Sequence, residues 1–119
     1  MAENSEITGY HAHIYYTNPD ARGRAGVLRA LIDEKFDIRM GRWRDDPVGP
    51  HPQPMYQVAF EPNQFADIVP WLMLNRDGLT ILVHPETGDN YADHVINSLW
   101  LGEVLPMNEA FLKSGRTSA

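Results

Sequence analysis

Ile7-Thr8-Gly9-Tyr10-His11-Ala12-His13-Ile14-Tyr15-Tyr16 decides the fold, because β-branched, aromatic and small residues alternate through it with a period of two. Alternation sends His11, His13 and Tyr15 to one face of a strand and Ala12, Ile14 and Tyr16 to the other. Two imidazoles on one face stand one pleat repeat apart, about 6.6 Å. They can share an ion, act as a ligand and its orienting neighbour, or lie as a polar pair on an open sheet face.

Working outward, Asn18-Pro19-Asp20 signals a turn and a helix start, and Ala21, Ala25, Leu28, Leu31 and Ile32 then recur at helical spacing through about Lys35. Phe36, Ile38 and Met40 alternate as a second strand would. Four prolines fall between Trp43 and Pro54, so this stretch, which carries His51, is a loop. Met55-Tyr56-Gln57-Val58-Ala59-Phe60 is a third strand, stopped by Glu61-Pro62-Asn63. Phe65, Ile68, Val69, Leu72 and Met73 follow at helical spacing, with Pro70 expected to distort or restart that helix.

After the turn Asn75-Arg76-Asp77-Gly78 comes the most strand-like segment, Leu79-Thr80-Ile81-Leu82-Val83-His84, expected to end at Pro85. Tyr91 to Leu101 reads as a short terminal helix closed by Gly102. The order β-α-β-β-α-β plus a terminal helix predicts an α+β, ferredoxin-like sandwich. It forms one domain over 1–119, with an ordered core at about 7–112 and a disordered tail at 113–119. Such a sheet carries two helices on one face and leaves the other open. The first strand neighbours both the third and the fourth, so His13, His51 and His84 can converge from three remote positions.

Composition narrows the chemistry. The 119 residues are 43% hydrophobic and contain no cysteine, which excludes disulfides, thiolate metal sites and cysteine nucleophiles. Any metal must bind His nitrogen and carboxylate oxygen. Ten Lys plus Arg against sixteen Asp plus Glu give a net charge of −6, and the basic clusters stop at Arg22-Gly23-Arg24 and Arg39 to Arg44, so nucleic acid is not an expected partner. No stretch approaches the roughly 20 apolar residues of a membrane span, and the acidic N-terminus lacks an apolar signal region. A cytoplasmic protein without a membrane partner is expected.

Five histidines carry the chemistry that remains, since imidazole is a common ligand for mid-row metals and titrates near neutral pH. His51 sits in the stiff run Pro50-His51-Pro52-Gln53-Pro54, and His84 opens His84-Pro85-Glu86-Thr87-Gly88-Asp89 at a strand end, where sites are often built. Each could equally be a solvated loop histidine. Glu86, Asp89 or Asp93 could complete a two-His, one-carboxylate iron site, although Asp89 or Asn90 ahead of Tyr91 suits a helix cap. His94 lies inside the terminal helix, as an acid/base group or a core-edge residue. Trp43, Trp71 and Trp100 are core or pocket wall, while Arg42 and Arg44 form a carboxylate-binding rim or a solvated edge. The sequence contains no nucleophile elbow, phosphate loop, dinucleotide fingerprint or His-Glu-x-x-His pair.

Together, His11-Ala12-His13-Ile14-Tyr15-Tyr16, Gly49-Pro50-His51-Pro52 with Pro54-Met55-Tyr56-Gln57-Val58, Leu82-Val83-His84-Pro85-Glu86-Thr87-Gly88-Asp89, Asp93-His94 and Trp100-Leu101-Gly102 resemble the DOPA 4,5-dioxygenase-like proteins. The resemblance spans about Tyr10 to Gly102. It implies a ferredoxin-like, often dimeric protein that performs extradiol cleavage of a catechol such as L-DOPA with a non-haem metal and O2. On that basis Fe(II), or another divalent metal such as Zn or Mn, is expected on His13, His51 and His84. His11 or His94 would be the acid/base partner, with Tyr15 or Tyr56 and Arg42 near a small aromatic substrate, in a homodimer. The rival expectation is a non-catalytic ferredoxin-like module that dimerises and binds a small ligand or a structural metal.

Overall fold

The computed structural model describes residues 6–115, so most of the expected tail, residues 116–119, lies outside the described residues. Strand β1 is Gly9–Tyr15, and Asn18 then caps α1, Pro19–Lys35, by accepting a hydrogen bond from the Ala21 amide at 2.8 Å. Strand β2 is only Arg39–Met40. Strand β3 is Met55–Phe60, α2 is Phe65–Asn75 and β4 is Ile81–Glu86. The sheet order β2-β3-β1-β4 and its antiparallel register are those of the ferredoxin-like sandwich, with β1 at the centre.

Burial fixes this register, because a slip of one residue would exchange the two faces of β1. Ala12, Ile14 and Tyr16 share a buried cluster with Tyr56, Val58 and Phe60 of β3 and with Ile81 and Val83 of β4. Ala25, Leu28 and Ile32 of α1 and Ile68, Val69 and Leu72 of α2 cover that face. Each such aliphatic side chain contributes about 1.5–3 kcal/mol by leaving water.

Several sequence expectations are corrected. Pro70 lies inside α2 without restarting it: Pro70 is on the exposed side, where the carbonyl it fails to pair can meet water, while Ile68, Val69 and Leu72 anchor the buried side. Strand β4 runs on through Pro85 to Glu86. Beyond Val83 it has only β1 as a partner, and a proline without an amide donor is tolerated on such an edge.

The third correction concerns Tyr91 to Leu101, which is not a terminal helix. One wide π-helical turn, Ala92–Ile96, is closed by the Asn97 amide donating to the Ala92 carbonyl at 2.8 Å, and Leu99–Leu101 is a fifth strand, β5, paired with β4. Leu99 and Leu101 pack on the helix-side core while Trp100 packs on the opposite face, an alternation only a strand provides. Gly102 ends β5 at φ 90°, and a Cβ there would stand 2.9 Å from Arg76 Nη1. The true terminal helix is α3, Glu109–Lys113, so Lys113 belongs to a helix rather than to a disordered tail.

The face away from the helices is not open. Tyr15, Met55, Leu82 and Leu105 form a second buried cluster there with Val48, Trp100 and Met107. The proline loop, the π turn and α3 close around it, and the Asn108 amide ties the start of α3 to the Pro50 carbonyl at 2.9 Å.

Candidate functional site

All five histidines meet on this covered face. His11 and His13 come from β1 and His84 from β4, where His84 pairs directly across from His11. His51 arrives on the proline loop and His94 on the π turn. His13, His51, His84 and His94 are each at most 2% exposed. Ring centroids lie 4.1 Å apart for His13 and His51, 4.0 Å for His84 and His94, and 5.1 Å for His13 and His84.

Every ring is held at Nδ1, which leaves Nε2 for chemistry. His84 and His94 donate Nδ1–H to the carbonyls of Pro85 (2.9 Å) and Asn90 (2.8 Å); carbonyls only accept, so Nε2 of each neutral ring is a bare lone pair. Nδ1 of His51 meets the Tyr15 hydroxyl at 2.7 Å, that of His13 faces Met55 Sδ at 3.4 Å, and that of His11 lies 3.1 Å from Glu86 Oε1. Such outer partners fix the tautomer and the aim of metal-binding imidazoles.

Two triads bring their nitrogens within 4.8 Å of one another: His11, His13 and His84, and the fully buried His13, His51 and His94. His13 belongs to both. The combination expected from the sequence, His13, His51 and His84, takes two members from each and is itself neither. Nε2 of His51 and of His94 are buried without a hydrogen-bond partner. Bare nitrogens of this kind fit a cation, since an unpaired buried acceptor costs about 1–3 kcal/mol.

Burial keeps the rings neutral. It holds His11 down at about 4, with a further contribution from neighbouring His94. His51 is lowered to about 3 and His84 to about 2, again by burial first and then by the positive charge the other rings would carry. His13 and His94 are lowered for the same first reason. Neutral imidazole is the form that binds metal.

The chain belongs to the Dopa 4,5-dioxygenase family. Its match to the family covers residues 10–111. A DOPA 4,5-dioxygenase of Amanita muscaria is 37% identical over 92% of this chain and 51% of its own length. An uncharacterised 21.2 kDa protein of Botryotinia fuckeliana is 36% identical over 92% of this chain and 67% of its own. The chain thus spans about half the length of the Amanita relative. A crystal structure of a candidate dioxygenase from Nostoc punctiforme superposes with a TM-score of 0.91 at 53% identity, covering 96% of this chain and 98% of that one. Membership of a dioxygenase family supports an enzyme, and the buried histidine triads are compatible with a bound metal ion.

In this family member an open cleft of about 810 Å³ reaches the cluster, with His11, His94, Glu86 and Tyr91 in its wall. Other residues singled out in the sequence lie elsewhere. Tyr56 points into the helix-side core and donates to the Ala25 carbonyl at 2.8 Å, so it is not beside the cleft. Arg42 is exposed, and Arg44 pairs through its backbone with Met55; neither lines the cleft. Tyr15 is buried, and its hydroxyl meets His51 Nδ1 at 2.7 Å and donates toward Met107 Sδ at 4.0 Å; burial pushes its phenol well above the usual range.

Asp89 caps the π turn by accepting from the Ala92 amide at 3.0 Å, and Asp93 accepts both the Thr87 amide and its hydroxyl, so both are structural. Met55, Met107 and Lys113 carried no functional signal in the sequence: a thioether or an exposed lysine acquires meaning only from what stands beside it. No helix among the described residues is long and apolar enough to cross a membrane.

Proposed function

We propose that this chain is an extradiol ring-cleaving dioxygenase that opens a catechol such as L-DOPA, using O2 and a non-haem metal, Fe(II) in preference to Zn or Mn. The observation that carries this reading is the fully buried triad of His13, His51 and His94, with two bare Nε2 atoms beside an open cleft. The catechol rests on family membership and on the name of the Amanita relative. The dimer rests on the family resemblance alone.

The triad of neutral imidazoles would hold the ion, which when bound would supply activation of the catechol and of O2. His84 is fixed through the Pro85 carbonyl, so its Nε2 lone pair, which faces His13 Nε2 at 3.0 Å, is suited to take a catechol proton and return it during ring opening once His13 holds the ion. His11, on the cleft and backed by Glu86, is placed for the second proton. Tyr15 keeps His51 on aim, and the cluster of Leu82, Leu105 and Trp100 keeps water from the inner side.

After anaerobic loading with Fe(II), incubation with L-DOPA and O2 is expected to give a yellow ring-opened product, lost in His13→Ala. Absence of product with every divalent metal tried, and with other catechols, would overturn the reading in favour of a non-catalytic module.

A further inference from the structure

The cleft contains one cation among its described residues, and that cation is pre-positioned. Glu86, Asp89, Asp93 and Lys113 are the charged residues of its wall. Each carboxylate is already engaged, with His11, the Ala92 amide and Thr87 respectively. Lys113 is exposed, and its Nζ rests 5.1 Å from the centre of the Tyr91 ring. A ring face attracts an ammonium without using its N–H donors, so those remain available to a ligand.

Three ties hold this lysine in place. Tyr91 donates its hydroxyl to Glu109 Oε1 at 3.0 Å, and Glu109 and Lys113 lie four residues apart on α3, so one tyrosine spans both. Leu112, next to Lys113, is buried. The start of α3 is bonded to Pro50, beside His51, while Tyr91 leads directly into the π turn that carries His94. The ammonium is thus referenced to two histidines of the cluster from two directions, which removes part of the ordering cost a long side chain usually bears on binding.

We infer that Lys113 is a specificity-determining residue that receives an anionic substituent on the aromatic substrate, a single carboxylate on its side chain. The single ammonium offers one charge-assisted contact, enough for one carboxylate seated directly on it, while the carboxylates of the same wall repel a more highly charged group such as a phosphate ester. This rests on the catechol reading above and deepens it by naming the residue that would favour catechols with a carboxylate-bearing side chain over neutral or cationic ones.

The test is calorimetric binding to full-length protein loaded with redox-inert Zn(II), using 3,4-dihydroxyphenylacetate, 4-methylcatechol and dopamine against wild type, Lys113→Met and Lys113→Arg. Wild type is expected to bind the carboxylate-bearing catechol about tenfold more tightly than 4-methylcatechol, as a charge-assisted hydrogen bond would provide. Lys113→Met should abolish that preference without changing 4-methylcatechol affinity, and Lys113→Arg should restore most of it. If all three catechols bind with the same order of affinity in wild type and Lys113→Met, the assignment of Lys113 falls while the catechol reading stands. If none binds to wild type, both fall.

Discussion

Nε2 of His13 and Nε2 of His84 face each other at 3.0 Å in the interior of the protein. The Pro85 carbonyl fixes the hydrogen of His84 on Nδ1, so in the absence of an ion the proton between the two rings comes from His13. His13 has an alternative place for it, because Nδ1 faces the thioether of Met55, a weak acceptor, at 3.4 Å. Moving the hydrogen to Nδ1 exchanges the bond to His84 for a weaker one to Met55 and frees Nε2 for a cation, whose binding offsets the difference. The member shared by both triads is therefore the one that can change tautomer cheaply.

Replacing each histidine by glutamine, which keeps roughly the volume, should separate ligands from proton-transfer groups. His13→Gln, His51→Gln and His94→Gln are expected to lose bound metal, measured by elemental analysis after loading. His84→Gln and His11→Gln should retain it while turnover falls about 10²- to 10⁴-fold, the usual contribution of a placed acid or base. Full metal in His94→Gln with loss in His84→Gln would return the third ligand to His84.

Glu86→Ala removes the acceptor that orients His11 but leaves Pro85 holding His84. Metal content should be unchanged and kcat should fall about ten- to a hundredfold, the range seen when an outer partner of a site imidazole is lost. An unaltered kcat would show that Glu86 does nothing for His11.

Lowered histidine values imply a stability that depends on acid. For His51, about 3 when folded against an ordinary 6.5, and His84, about 2, the unfolded chain binds more protons below 6.5, so stability rises with pH there. The metal-free protein should be fully stable above about pH 7 and lose stability steadily as pH falls from 6.5 toward 3. Thermal midpoints across that window check this; a flat profile would contradict it. In the same way, metal affinity should change little between pH 6.5 and 8, because protons do not compete for rings already neutral.

Tyr56→Phe distinguishes a core tyrosine from a substrate contact. Losing its hydrogen bond to Ala25 should cost about 1 kcal/mol and lower Tm by about 4 °C for a chain of this size, with KM and kcat unchanged. A KM increase without a Tm shift would contradict its place in the core.

Short-range pattern made most of the fold legible. Asn18 and Pro19 start α1, the alternation of Met55 to Phe60 bounds β3, and the His11, His13, Tyr15 face holds in three dimensions. In the segment after Asp89, Val95, Ile96, Leu99 and Trp100 fit a helical period, whereas the free edge of β4 recruits Leu99–Leu101 as a strand, a long-range demand no local pattern can show. Likewise, the gathering of His13, His51 and His84 was foreseeable from strand order, but the inclusion of His94 needed the widened π turn.

The sequence by itself determined which chemistry was possible: with five histidines and no cysteine, it allowed a nitrogen-ligated metal on an α+β scaffold. Only the tertiary structure decided which nitrogens are bare, because that depends on what each Nδ1 meets: a carbonyl one or four residues away along the chain, a thioether, or a phenol from a strand. Periodicity sets the face a side chain takes; hydrogen-bond partners placed by the folded backbone set the direction in which its ring can act.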